Sequence, residues 1–184
     1  GASQPAATNP FFSASPLPYQ APRFDVIRET DYAPAIEEGM KRQLAEIATI
    51  ADNPEPPTFA NTLEAIERSG DLLTRVTKVF MNLAQSNTSP GIQKIKAEEA
   101  PRLAAHQDAI FLNAKLYARV RALYEKRDEL KLDPESRYLL ERYHLLFIRA
   151  GAELSEPDKA KVRALNEEES RLKTQFSERL LADT

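Results

Sequence analysis

Apolar positions recur every three to four residues along most of the chain, the spacing that places them on one face of a helix. The pattern predicts seven helices, at about 31–51, 58–69, 71–85, 90–111, 114–129, 134–150 and 158–181. No stretch alternates apolar and polar positions as a half-buried strand does. We therefore expect an all-α fold, a multi-helix bundle of about seven helices with roughly three quarters of the residues helical, well above the usual share.

Polar residues that can cap a helix N-terminus stand before six of these helices. They are Thr30 or Asp31, Thr58, Ser89, Asn113, Asp133 and Ser155. A side-chain oxygen at such a position accepts a hydrogen bond from a backbone N–H that has no partner within the helix. Gly70 and Gly151 follow the second and sixth helices, where a left-handed residue often ends a helix. Pro101 predicts a kink in the fourth.

The seventh helix is the longest, and its apolar positions form one stripe. The stripe consists of Val162, Leu165, Leu172, Phe176 and Leu180. Because a helix with one apolar face needs neighbours to cover it, we expect the stripe to be buried against earlier helices and helix seven to be the main stabilising element. The same spacing on helix six predicts a second buried stripe, which consists of Tyr138, Leu139, Tyr143, Leu146 and Phe147.

Residues 1–24 carry five prolines and predict an extended arm in front of a helical domain at 25–184. We expect residues 1–8 to be disordered. From about Asn9 onward the arm is too apolar for a free linker, so we expect it to lie along a groove of the helical domain. Its large apolar residues are Phe11, Phe12, Leu17, Tyr19 and Phe24.

The composition is that of a soluble globular domain, with 42% hydrophobic and 29% charged residues. A net charge of −3 gives no electrostatic reason to bind nucleic acid or an anionic membrane, so neither partner is expected. No apolar run approaches the length of a membrane span. The absence of cysteine fits the cytoplasm and the periplasm equally, and the first residue, Gly1, leaves a removed leader open.

Glu141 and His144 form the most specific candidate for a metal-binding site in the sequence. A Glu and a His three residues apart on one helix can share a metal in a carboxylate-bridged bundle, but that site needs a second copy. The other histidine, His106, has Leu103 three residues before it. We therefore expect an ordinary helix-surface pair, with no catalytic, cofactor-binding or metal-binding residue in this chain.

Two charged runs are also candidate sites. Glu167, Glu168 and Glu169 are consecutive on a helix and point about 100° apart, so we expect a solvated face rather than a cation site. Basic residues on the fifth predicted helix are interleaved with acidic ones, which argues against a basic patch. The basic residues are Arg119, Arg121, Lys126 and Arg127. Tyr138 and Tyr143 have polar hydroxyl groups that could contact a ligand, but we expect both side chains to pack in the core instead.

Several stretches resemble one family. Residues 57–70, Pro57-Thr58-Phe59-Ala60-Asn61-Thr62-Leu63-Glu64-Ala65-Ile66-Glu67-Arg68-Ser69-Gly70, resemble a segment near the start of thimet-oligopeptidase-like zinc metallopeptidases, most closely the peptidyl-dipeptidase and oligopeptidase A branch. Residues 147–155 and 159–176 resemble the long helix of that family and its entry. Asn9-Pro10-Phe11-Phe12 and Leu132-Asp133-Pro134-Glu135 suit the peptidyl-dipeptidase branch, and the similarity spans residues 9–184.

The resemblance implies a mostly helical peptidase whose N-terminal portion forms one wall of a channel over a zinc site. The zinc-binding helix and a further glutamate ligand of that family have no counterpart in residues 1–184, so zinc is implied for the full-length parent only. The parent would release C-terminal dipeptides from short peptides by means of a zinc-activated water. The partners implied are the catalytic portion of the same polypeptide and short peptide substrates, and this chain alone would be inactive.

The alternative is a stand-alone helical protein-interaction module, in which an exposed groove binds a protein. A downstream His-Glu-x-x-His in the open reading frame would favour the peptidase, and a stop codon would favour the module.

Overall fold

The computed structural model describes residues 8–86 and 89–182. The described residues form seven α-helices and no strand, and the structure is 76% helical. The short α2 continues a π-helical turn at Phe59–Glu64, and the other six helices are longer. The helices are α1 (Glu29–Ala51), α2 (Ala65–Arg68), α3 (Asp71–Ser86), α4 (Pro90–Phe111), α5 (Ala114–Glu125), α6 (Pro134–Ala150) and α7 (Glu156–Ala182). The all-α prediction is confirmed.

Five of the predicted caps make the expected bond, in which a side-chain oxygen accepts from the backbone N–H three residues on. The bonded pairs are Thr58 with Asn61, Ser89 with Ile92, Asn113 with Leu116, Asp133 with Ser136, and Ser155 with Asp158. Gly70 and Gly151 have φ angles of 74° and 99°, in the left-handed region that a side chain disfavours. The helix boundaries predicted from these residues are therefore confirmed.

Two helix ends differ from the prediction. Helix α1 begins at Glu29, and Asp31 lies inside its first turn, where its carboxylate accepts from the Arg28 N–H at 2.7 Å. Helix α5 ends at Glu125 rather than Glu129. The next four residues carry only charged side chains, so a further helical turn would gain no stabilising apolar contact. Helix α4 continues through Pro101 to Phe111.

Two hydrophobic clusters form the core, and α1 contributes to both. Tyr32 and Ile36, in its first half, pack in one cluster with the arm, α3 and the start of α4. Ile47 and Ile50, in its second half, pack in the other with α2, α5 and α6. Helix α7 packs chiefly on α4. The element that both clusters share is therefore α1. Helix α7 contributes no described residue to either cluster, and the expectation that it is the main stabilising element stays a prediction.

The arm is anchored at its start and is exposed further along. Phe11 is buried, with its ring 5.3 Å from that of Tyr32. The later apolar side chains, those of Leu17, Tyr19 and Phe24, are exposed, so this part of the arm is not packed into the helical domain as closely as we expected. The Ser15 hydroxyl donates to the Ala21 carbonyl at 2.6 Å, and this closes a loop that stands off α3. The predicted disorder of residues 1–8 falls almost wholly outside the described residues.

A groove of about 810 Å³ lies between this loop and α3. Its walls are mainly apolar, with Phe11 and Phe24 on the arm and Val79 and Leu83 on the helix.

On α6 the predicted stripe is only partly correct. Phe147 is fully buried and contacts Phe111 with ring centroids 5.1 Å apart. Tyr138 and Leu146 are exposed, and the buried leucine of this helix is Leu140. The buried face is centred between Leu140 and Phe147, seven residues apart, because α5 contacts α6 along that line.

Candidate docking surface on the last helix

Helix α7 meets α4 through polar and small side chains. Along this face the half-buried positions are Val162, Asn166, Ser170 and Thr174. The Asn166 amide donates to an Asp108 carboxylate oxygen on α4 at 2.8 Å. Lys159, almost fully buried, donates to Glu156 at 3.1 Å. The contact is therefore a polar seam, which lets two helices approach closely but buries little apolar area.

Asp108 is the least satisfied carboxylate of this seam. Its Oδ2 atom is buried and accepts no hydrogen bond from the described residues. Burial raises the pKa of this carboxyl, although the hydrogen bond from Asn166 and the nearby Arg163 charge act in the opposite direction. Keeping the Asp108 carboxylate charged in this contact therefore costs free energy.

Most of the predicted apolar stripe of α7 does not face α4, and of its described side chains only Val162 lies on that face. Leu165, Leu172 and Phe176 are 68%, 51% and 65% exposed. Successive helical residues are rotated by about 100°, so this stripe lies roughly a third of a turn from the Asn166 and Ser170 face. The prediction that the stripe is buried against earlier helices is wrong, because those helices cover the polar face instead. The Leu180 side chain lies outside the described part of the structure.

Ion pairs flank the exposed stripe on both sides. Glu168 pairs with Arg171 at 2.6 Å, and Glu169 pairs with Lys173 at 2.7 Å. These pairs agree with the expectation of a solvated charged face around Glu167–Glu169. Their charges are balanced within the helix, so they demand no charged partner.

Glu141 and His144 are engaged by different neighbours. Glu141 accepts from Arg137 at 3.0 Å. The His144 ring is stacked on Tyr124, with centroids 3.7 Å apart and parallel planes. Burial lowers the pKa of His144. Across residues 8–86 and 89–182, no group of three or more His, Cys, Asp or Glu side chains is arranged to hold a metal.

The second histidine, His106, links three parts of the chain. Its Nε2 atom lies 2.6 Å from the Gln43 side-chain oxygen, and the Gln43 amide donates to the Ser69 hydroxyl. Burial lowers the pKa of the His106 ring. The sequence pattern did not predict this link, because its partners are 63 and 26 residues apart along the chain.

Arg119 does not belong to a surface run of basic residues. It is buried, and its guanidinium donates to the carbonyls of Asn53 and Glu55 and to the Asn61 side chain, each within 3.0 Å. Arg121 pairs with Glu125 instead. Arg119 therefore holds the linker between α1 and the π-helical turn, whereas Arg121 forms an ion pair within α5.

The two tyrosines singled out from the sequence also differ. Tyr138 is exposed. The Tyr143 hydroxyl donates to Glu67, and burial with this hydrogen bond raises its pKa. Tyr117, which the sequence did not single out, donates to Glu153 at 2.8 Å, and its pKa is raised to about 12 by burial and by that bond.

Within the described ranges, no helix combines the length and the apolar character needed to cross a bilayer. The fold and this surface define an all-α domain with two hydrophobic clusters and an exposed apolar stripe on α7.

Comparison with known proteins identifies two relatives of this chain. The chain is 47% identical over 174 residues to the dipeptidyl carboxypeptidase of Escherichia coli (strain K12), a match that covers 95% of this chain and 26% of that protein. It is 45% identical over 176 residues to the dipeptidyl carboxypeptidase of Salmonella typhimurium (strain LT2), again over 26% of the relative. No protein-family model matches the chain.

The chain is therefore homologous to the N-terminal portion of dipeptidyl carboxypeptidases, and the resemblance seen in its sequence is confirmed. It spans about a quarter of the length of these relatives.

Proposed function

We propose that this chain is the N-terminal helical portion of a zinc peptidase that releases dipeptides from the C-terminal end of short peptides. The observation that carries the proposal is the 47% identity to a dipeptidyl carboxypeptidase across 95% of the chain. In this role the chain is non-catalytic. It forms part of the wall of the substrate channel and limits the size of the peptides that enter.

Among residues 8–86 and 89–182, no side chains are grouped to hold a zinc ion. A catalytic zinc site takes three protein ligands, and the two candidates from the sequence, Glu141 and His144, are held by Arg137 and Tyr124. The proposal therefore places the zinc ligands elsewhere in the longer polypeptide, and it assigns no catalytic step to residues 1–184. In this proposal residues 1–184 contribute a helical wall, and the two hydrophobic clusters that hold its helices together support that role.

The test compares the longer polypeptide of the open reading frame with residues 1–184 alone. Each is incubated with a peptide that is blocked at its N-terminus and free at its C-terminus, and the products are identified by mass spectrometry. We expect the longer polypeptide to release C-terminal dipeptides and the shorter chain to release none. The same peptide with an amidated C-terminus is the control, and we expect it to be cleaved much more slowly.

Cleavage by residues 1–184 alone would contradict the assignment of the catalytic groups to the rest of the polypeptide. An open reading frame that ends near residue 184 would support the interaction module instead.

A further inference from the structure

Helix α7 has a polar face and an apolar face, and among the described residues only the polar face packs against another helix. The polar face, centred on Asn166 and Ser170, packs on α4. The apolar stripe of Leu165, Leu172 and Phe176 faces away, and each of the three side chains is more than half exposed. Exposed leucine and phenylalanine at seven- and four-residue spacing form one line along the helix, which is the arrangement that a second helix or a groove covers.

The relatives show where a covering element can come from. The matched residues make up 26% of the relatives' length, so these relatives are more than three times as long as this chain. Helix α7 is the last helix of the described part, so in a polypeptide as long as the relatives a segment after it would be tethered close by. Tethering converts the association into an intramolecular event at a high effective concentration, so a modest apolar contact is enough.

A second copy of the chain fits the surface less well. Three large apolar side chains on one helix offer a few hundred Å² at most, whereas a stable interface between separate proteins buries about 1,200–2,000 Å² in total. The flanking ion pairs, Glu168 with Arg171 and Glu169 with Lys173, are satisfied within the helix and offer no charge for a partner to match.

We propose that Leu165, Leu172 and Phe176 form the surface on which the part of the same polypeptide after residue 184 packs, through an element with its own apolar stripe. The proposal rests on the proposed function only in that it requires the longer polypeptide.

The experiment introduces Leu172→Glu into the longer polypeptide and follows thermal unfolding. Because the new carboxylate would be buried in an apolar contact, we expect the first unfolding transition to fall by about 5 °C or more. Ala164→Glu is the matched control. Ala164 is exposed on another side of α7, and it too has glutamates three and four residues away, although Lys161, three residues before it, offsets part of that repulsion. We expect the control to shift the transition by less than about 1 °C.

An unchanged transition in Leu172→Glu would overturn the proposal, because Leu172 would then face solvent in the longer polypeptide. A wild-type dimer that Leu172→Glu converts to monomer, measured by sedimentation, would also overturn it, because the covering element would be a second copy. If Leu172→Glu does not fold, Leu172→Ala decides by the same measurement, with a smaller fall expected for a docked side chain and none for a free one.

The outcome is independent of the peptidase assay. A wild-type polypeptide that releases no dipeptide contradicts the proposed function, whereas the unfolding shift reports docking whether or not the polypeptide is active.

Discussion

Leu140 and Leu145 lie on the same helix, five residues apart, and show how environment decides what a residue contributes. Leu140 is 0% exposed within the cluster shared by α1, α5 and α6, whereas Leu145 is 45% exposed. Their intrinsic helix propensities are identical, so any difference between them comes from packing. The same contrast separates Phe147, which is buried, from Phe176, which is not.

We expect Leu140→Ala to lower the free energy of unfolding by about 2–5 kcal/mol, because the substitution removes buried methyl groups and leaves a cavity. Leu145→Ala on the same helix is the control and should cost about 1 kcal/mol or less. Urea-induced unfolding followed by circular dichroism measures both. Equal costs for the two variants would contradict the packing described for α6.

Among the elements, the seam between α4 and α7 is held differently from the rest of the fold. Elsewhere helices meet through apolar side chains, as α1 and α3 do around Ile36 and Val76. At the seam, Asn166 bonds to the buried Asp108, and one oxygen of that carboxylate has no partner among the described residues. Burying a charged carboxylate costs free energy, and here the cost depends on pH because the group can be protonated.

The Asp108 carboxyl predicts a measurable pH dependence. Burial raises its pKa in the folded chain above the ordinary value of 3.8, so the folded state holds the proton more tightly than the unfolded state. Its favourable contribution is complete below pH 3.8 and is lost as the pH rises through the raised pKa. Asp108→Asn has no such titration, so we expect its stability relative to the wild type to increase as the pH rises through this range.

Urea unfolding at several pH values measures that difference. Glu129→Gln, which removes a charge from an exposed turn, controls for the change in net charge. A difference between Asp108→Asn and the wild type that stays constant with pH would contradict the raised pKa.

At the scale of the whole molecule, two cores meet at α1, and α7 is attached at one side. Because α7 contacts mainly α4, the apolar stripe on its outer face is covered by neither hydrophobic cluster. Exposed apolar lines of this kind favour association when the covering element is absent.

We therefore expect residues 1–184 alone to self-associate weakly and reversibly at high concentration. Leu172→Glu should reduce the association by placing a charge on the stripe, and Ala164→Glu should leave it largely unchanged. Sedimentation velocity over a range of concentrations measures it. A strict monomer at every concentration would contradict this expectation.

Much of the architecture follows from short-range chemistry that the sequence displays. The helices and most of their ends were predicted, because a cap such as Ser89 or Asp133 bonds to a backbone group only three residues away. Left-handed glycines such as Gly151 act over a similarly short distance. The resemblance of residues 57–70 to a peptidase segment also lies in the sequence itself.

Only the tertiary structure decided which surfaces meet. The stripe of Leu165, Leu172 and Phe176 shows that one face of α7 favours an apolar environment, but the pattern contains no information about which neighbour provides it. Asn166 finds its partner 58 residues away in Asp108, and Arg119 finds carbonyl partners more than 60 residues away. Periodicity reports the side of a helix that avoids water, whereas the pairing of sides depends on contacts between distant residues, which no local pattern encodes.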